Sequence, residues 1–447
     1  MAARRPAAGR RRRRRAVAVL LLVAVVLVVA LGVRSGRLHI PRLGGASGAG
    51  GGSATSGGGI TVTGAERLWH DGPVVLRFRD AAGKPISAGW RLDGGEWQEG
   101  LRVHVRGPAD HSGDGMHVVD VRPVGGGDVA TTVKVGIDTR PPKVTGVAVS
   151  PQRVDGTGTV KLTFTAPPED GVSVSWAVVD VLARPVGAKG KPSPPSGAAT
   201  VDWQVPSANG EKLGPGTYWL RVRAEDEAGN VTEERAAIAC VRAVEARVIT
   251  SLPEAGREVA LTFDGGSGYA WRSLMNDLYS RDSLGSFFCT GVSVDNYQPM
   301  AQLAVEQGQT IGNHSYDHPD FSRISHAEAL RQLEKNTEAW WNACEAVPQP
   351  FFRPPYGSYT DDTVKAAGEA GYRYVVMWTG DAGDWTGLPA SQVAANALAA
   401  AKPGAIIVFH TQWNTHEAMP LVLKGLKKKG YKAVSLAQLC ADAGLPY

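Results

Sequence analysis

Five stretches of the chain end a run of apolar residues on a side chain able to do chemistry. Asp264 follows EVALTF, His314 and His318 follow TIGN, and Arg353 follows PFF. Asp381 and Asp384 follow YVVMWTG, and His410 follows AIIVF. An Asp before Gly, as at Asp264-Gly265, is by itself an ordinary turn. Five runs that each end on Asp, His or Arg are a constellation, because the C-terminal ends of parallel strands are where α/β barrels assemble active sites. The pair His314-Ser-Tyr-Asp-His318 is spaced i, i+4, which on a helical turn aims both imidazoles the same way. Two neutral imidazoles on one face suit a zinc-like divalent ion. In RPPYG, two prolines and a glycine fix the backbone after Arg353, as a well-aimed backbone N–H requires.

The elements that must carry these residues alternate strand and helix from about Glu245 onward. EVALTF leads into a helical pattern with Trp271, Leu274, Met275 and Leu278. SFFCTG leads into one with Met300 and Leu303 that closes at Gly308. Ser325-x-x-Glu328 reads as a capping box, with Ile324 placed as a staple. Helices are expected over Glu417–Lys429 and Leu436–Ala443. About seven βα units in some 200 residues predict a parallel sheet, open or closed into a barrel.

Upstream, residues 60–141 and 142–244 show short alternating strands between Gly, Pro and Asp turns, the pattern of β-sandwiches. WRLDGGEW and RAEDEAGN give both stretches a resemblance to bacterial immunoglobulin-like modules, the second equally to a fibronectin-like one. Neither carries a catalytic cluster, so spacers are expected, with sugar binding as the alternative. Residues 34–59, with GGASGAGGGSATSGGG, read as a flexible tether. Before them, Ala16 to Val33 is uncharged over a length of roughly 27 Å, close to bilayer thickness. Arg4, Arg5 and Arg10 to Arg15 precede it within a basic segment, residues 1–15. By the positive-inside rule this predicts a single-pass signal anchor with everything downstream extracytoplasmic. A cleaved signal ending near Ala30-Leu31-Gly32 is the alternative. Without those eight arginines the net charge of +5 becomes −3. The body of the chain is therefore mildly acidic, which gives no case for nucleic-acid binding. No protein partner is legible.

The four cysteines, Cys240, Cys289, Cys344 and Cys440, allow three pairings. Cys240 and Cys440 flank the C-terminal domain and are placed for a clasp. Cys289 and Cys344 read equally well as buried small side chains.

Residues 258–438 resemble the catalytic domain of the polysaccharide deacetylases, the NodB-like carbohydrate esterases. TFDGG, HSYDHP, RPPYG, DAGDW and IVFH occur in that family's order over about 180 residues. The resemblance implies a distorted (β/α) barrel at 245–447 and hydrolysis of N-acetyl groups on a polysaccharide. It implies that Asp264 is the general base and His410 the acid, with Asp384 orienting His410 and Arg353 holding Asp264. The Tyr356 N–H would complete an oxyanion site, and Trp385 and Val408 would wall the acetyl pocket. His314 and His318 would ligate a divalent metal, with zinc expected. The family's third ligand is a second Asp directly after the base, and here that position is Gly265. A smaller departure is Thr411, where an Asp often follows the acid His. His416, nearby, is expected to face solvent. The substrate this implies is cell-wall or surface glycan, with peptidoglycan N-acetylhexosamine favoured. An O-acetyl esterase and an inactive glycan-binding or wall-architecture protein are the alternatives.

Overall fold

The computed structural model describes residues 54–55, 59–106, 110–193, 195–205, 212–266 and 268–446. The expected basic segment and membrane anchor lie outside these residues, as does almost all of the tether. Among the described residues, no helix is long and apolar enough to cross a membrane.

The first β-rich region pairs a four-stranded sheet (54–55, 61–63, 74–79, 102–105) with a five-stranded one (69–70, 131–137, 115–122, 88–92, 98–100). Alternate residues of both sheets meet in one core: Val62, Leu76, Phe78 and Val103 against Val119, Val121, Val135 and Ile137. The second region pairs a three-stranded sheet (145–150, 159–166, 197–204) with a five-stranded one (153–154, 231–240, 216–225, 173–179, 185–190). Leu162, Phe164 and Trp203 face Val178, Leu220, Val222 and Ile238 across its core. Both are two-sheet sandwiches, as the period-two pattern predicts.

From residue 247 the strands are parallel. They are β1 (Arg247–Ile249), β2 (Glu258–Gly265), β3 (Ser286–Cys289), β4 (Thr310–Asn313), β5 (Phe351–Phe352), β6 (Tyr374–Val376), β7 (Gly380–Asp381), β8 (Ala405–His410) and β9 (Lys432–Val434). Their spatial order is β1-β6-β5-β4-β3-β2-β8-β7, with β9 also paired to β2. The sheet curls but its end strands do not pair, so the barrel stays open. Both faces of β2 and β8 are buried, which is why EVALTF and AIIVF read as unbroken apolar runs. Val259, Leu261 and Phe263 pack outward with Trp271, Leu274 and Leu278 of helix α1 (Gly268–Tyr279). Ala260, Phe288, Phe351, Val376 and Ile406 pack together on the inner face. By alternation that face also carries Thr262, Asp264, Arg353, Val408 and His410.

Ser325 caps the helix α2 (His326–Cys344) by accepting from the Glu328 N–H, and Ile324 packs in one cluster with Ala329. The reciprocal half of the expected box is missing. The Glu328 carboxylate is held instead by Arg331 and Gln332, charged and amide donors that outcompete the cap N–H. The helix expected from Glu417 starts earlier, as α3 (Trp413–Lys428), and Leu436–Asp442 is helical as expected. The clasp between Cys240 and Cys440 is not formed: all four thiols are free. Cys240 lies in the second sandwich's core and Cys440 in the inner cluster of the parallel sheet.

Candidate active site

β2 and β8 are adjacent and in register, so Asp264 and His410 stand opposite one another at their C-terminal ends. Arg353 sits just past β5 and is fully buried. Its NH1 donates to Asp264 Oδ1 (2.8 Å) and to Thr262 Oγ1 (2.9 Å), and its Nε donates to the Val376 carbonyl (3.1 Å). The guanidinium lies over the Phe288 ring, 4.3 Å from its centroid. One carboxylate oxygen of a 95 % buried Asp264 is thereby fixed and charge-compensated. The other, Oδ2, is 4.0 Å from His314 Nε2.

His314 and His318 do not sit on a helical turn. Residues 314–318 form an irregular loop with positive φ at Ser315 (63°) and His318 (70°). Side chains shape it. Asn313 Oδ1 accepts from Ser315 N–H, Ser315 Oγ from His318 N–H, and Gln332 Oε1 from both Tyr316 and Asp317 N–H. Local Asn and Ser acceptors draw the chain out of helix. The rings still meet, with centroids 4.9 Å apart and planes at 69°. His314 Nδ1 bonds to the Arg353 carbonyl at 2.8 Å, which leaves Nε2 to face the site. Burial pushes the His314 imidazole down to about 4, and burial lowers His318 as well. Both rings are therefore neutral near pH 7.

Asp384, fully buried in a short turn over Asp384–Thr386, is a four-way acceptor. Its Oδ1 takes His410 Nδ1–H and the Trp385 N–H, both at 2.9 Å. Its Oδ2 takes the His410 N–H (2.6 Å) and the Thr415 hydroxyl. Burial alone would lower the His410 imidazole. The bond to Asp384 and the charges of Asp264, Asp384 and Asp381 outweigh it, and the net shift is upward. Trp385, 59 % exposed, has its indole N–H on Asp381 Oδ2 at 3.3 Å. Val408 is buried beside Thr262.

In the Pro355–Gly357 turn, the two prolines have no N–H. The Gly357 and Ser358 amides fold back onto the Pro354 and Pro355 carbonyls. The remaining amide of the turn belongs to Tyr356, held at φ 60°, whose ring packs edge-on to His318 at 4.6 Å. All nine expected site residues are thus placed, and Asp264, Arg353, His314, His318 and Tyr356 are linked by direct contacts. His416 departs from its expected solvent-facing position. Its side chain is 28 % exposed, with Nε2 standing 3.2 Å from Asp277 Oδ2, because helix α3 begins early enough to bring it onto α1.

Thr262, Asn414 and Thr415 were not singled out from the sequence. Thr262 bridges Arg353 and the Ile407 carbonyl. Asn414 donates to the Asp384 and Leu388 carbonyls. A lone Thr in the apolar run EVALTF was the one available signal. Asn414 and Thr415 open a helix and look like ordinary cap residues.

A comparison with protein families matches residues 252–375 to polysaccharide deacetylase, a span that ends before Asp384 and His410. The chain is 30% identical over 188 residues to a peptidoglycan-N-acetylglucosamine deacetylase of Bacillus cereus, covering 41% of this chain and 68% of that protein. This chain belongs to the polysaccharide deacetylase family. As such it is a hydrolase acting on amide bonds. A chitooligosaccharide deacetylase of a Bradyrhizobium is 28% identical, covering 41% of this chain and 90% of that one. A peptidoglycan deacetylase of Listeria monocytogenes is 29% identical, over 43% of this chain and 41% of that protein. Among solved structures, a family 4 pseudoenzyme of Bacillus anthracis aligns with a TM-score of 0.41 at 29% identity, over 44% of this chain and 69% of that one.

Polysaccharide deacetylases generally use a divalent metal. Among the described residues, no group of three His, Cys, Asp or Glu side chains is placed to hold one. The donors present are the two neutral imidazoles, with Asp264 Oδ2 as the nearest carboxylate oxygen. This set fits a divalent cation held by two imidazoles, and is one side chain short of an ordinary catalytic zinc site.

Proposed function

We propose that this protein is a membrane-anchored, extracytoplasmic deacetylase that removes N-acetyl groups from cell-wall glycan, with peptidoglycan N-acetylhexosamine as the favoured substrate. The observation that carries the proposal is the opposition of a carboxylate and an imidazole, each held by its own buried partner. Asp264 is a buried carboxylate whose Oδ1 is held by Arg353 while Oδ2 stands 4.0 Å from His314 Nε2, and His410 is an imidazole held toward its protonated form by Asp384. Such pairs divide base and acid work between them.

In this reading Asp264 takes a proton from the attacking water, and the water oxygen adds to the acetamide carbonyl carbon. The Tyr356 N–H donates to the oxygen that becomes negative. His410 then protonates the sugar nitrogen, the C–N bond breaks, and acetate and a free amine leave. Arg353 holds the base, and Asp384 fixes the tautomer and orientation of the acid. Trp385 and Val408 wall the acetyl methyl. His314 and His318 would hold a divalent cation, zinc by preference, and its contribution when bound is Lewis acidity toward the carbonyl.

The two sandwiches are read as immunoglobulin-like spacers over 60–141 and 142–244. Together with an anchor at 16–33 and a tether at 34–59 they would carry the catalytic domain, 245–447, out to wall polymer. A glycan-binding protein without catalysis is the second reading, favoured by one observation, the glycine at 265. Acetate release from N-acetylglucosamine oligomers by the full-length chain in detergent decides between them. The deacetylase reading requires release that Asp264→Asn abolishes. Equal background from both proteins sinks it.

A further inference from the structure

Trp413, the first residue of α3, keeps 56 % of its surface exposed, while the residues around it in sequence are fastened to the scaffold of His410. The Gln412 N–H donates to the His410 carbonyl at 2.9 Å. Asn414 Nδ2 donates to the Asp384 and Leu388 carbonyls, and the Thr415 hydroxyl donates to Asp384 Oδ2. Trp413 is three residues past His410, so their Cα atoms lie within about 11 Å of each other. The indole is braced as well. It stands edge-on to the His416 ring, with centroids 5.5 Å apart and planes at 74°. His416 Nε2 in turn lies 3.2 Å from Asp277 Oδ2 on α1. A single exposed tryptophan is an ordinary surface residue. This one is held on a helix that starts where β8 ends, and helical side chains lean back toward the N-terminus, here toward the rim of the site. β8 runs between β2 and β7 in the sheet. Trp413 is braced on α1, which follows β2, and Trp385 stands in the turn after β7. The two exposed indoles therefore flank His410 on opposite sides.

We infer that Trp413 is a stacking platform for a pyranose ring of the glycan chain other than the one that loses its acetyl group. The flat face of an indole matches the C–H face of a pyranose with equatorial hydroxyls, and contact takes apolar surface of both out of water. With Trp385 beside the reacting unit, Trp413 directs the rest of the chain across β8 toward α1. The site thereby prefers a polymer to a free sugar. The inference rests on the deacetylase reading for its ligand class and adds to it the path of the substrate chain.

The test is steady-state acetate release from the N-acetylglucosamine tetramer by the full-length chain in detergent. Tetramer affinity of the Asp264→Asn variant, measured by calorimetry, gives a readout that needs no turnover. Trp413→Ala is expected to raise KM about 10-fold and leave kcat within about twofold, because a contact to a non-reacting unit is felt equally in ground and transition states. Adding Trp413→Ala to Asp264→Asn should weaken tetramer binding by a similar factor, and Trp413→Phe should keep most of both. A loss carried by kcat with KM unchanged overturns the inference, because the residue then acts through the tether to Asp384. Unchanged KM together with unchanged affinity overturns it too. So does an equal loss on the N-acetylglucosamine monomer, which places the indole at the reacting unit. A chain that releases no acetate, yet binds the tetramer and binds it more weakly after Trp413→Ala, keeps the subsite and loses the deacetylase reading. A chain that does not bind the tetramer loses both.

Discussion

Asp384→Asn removes the charge beside His410 and also halves the acceptor capacity of a site that four donors share. An amide has one oxygen where the carboxylate has two. With that oxygen at the Oδ1 position it keeps His410 Nδ1–H and the Trp385 N–H. The amide NH2 then faces the His410 N–H and Thr415. The Thr415 hydroxyl can turn and accept, but the His410 N–H cannot. One buried donor is left without a partner, a loss of about 1–3 kcal/mol in stability. The effect on chemistry is larger. The bond to Asp384 is the foremost of the influences that raise His410 against burial. Replacing that carboxylate by a neutral amide removes its charge, which shifts His410 downward and makes the imidazolium scarcer near neutral pH. A general acid contributes roughly 10²–10⁴-fold, so kcat at pH 7 should fall within that range. A raised acid stays protonated below its pKa and loses its proton as pH climbs through it. The alkaline limb of kcat/KM for acetate release should therefore move to lower pH in the variant. An alkaline limb in the same place for both proteins would refute the assignment of His410 as the acid and Asp384 as its partner.

Arg353→Met leaves Asp264 as an uncompensated buried charge, and unfolding should show a loss of about 3–5 kcal/mol. Adding Asp264→Asn should recover a substantial part of it, and purely additive losses would contradict the pairing. His314 is neutral when folded and titrates at about 4 against an ordinary 6.5. The unfolded chain binds the extra proton between those values, so metal-free protein should lose roughly 3 kcal/mol between pH 7 and pH 4 through this residue. His314→Asn should flatten that part of a stability-versus-pH curve. At Gly266, φ is 87° and a Cβ would stand 2.7 Å from Cys289 Sγ. Gly266→Ala should therefore cost more than about 1 kcal/mol, with Cys289→Ala relieving part of it in thermal melts.

The chemistry was legible because the ionisable residues of these buried parallel strands stand at or just past their ends, against near-continuous apolar runs. That is why Asp264, Arg353 and His410 stood out against EVALTF, PFF and AIIVF. The loop at 314–318 was not legible. The i, i+4 spacing is compatible with a helix, and the departure comes from Asn313 and Ser315 within the segment together with Gln332, a residue on α2 that reaches back to two amides of the loop. The half-formed cap at Ser325 has a nearer origin, since Glu328 had partners within its own helix that the local signature could not weigh. Thr415 escaped notice because its importance comes from Asp384, 31 residues away. Partners distant in sequence act at the loop and at Thr415, whereas competition within one helix decided the cap at Ser325.

The second sandwich does not hang beside the barrel as a loose bead. Arg153 grips Glu338 with two bonds, at 2.7 and 2.9 Å, and lies over the Trp341 ring. Thr217 Oγ1 both donates to and accepts from the Val347 backbone. Val179, Trp219 and Ala237 share a buried cluster with Ala346, and Val305 and Trp341 pack against it. A gene fragment cut at residue 245 would bare that apolar seam, and its product should be prone to aggregate. A fragment of this chain that keeps the seam covered therefore begins near residue 142. The second sandwich is thus part of the foundation on which the parallel sheet's helices rest.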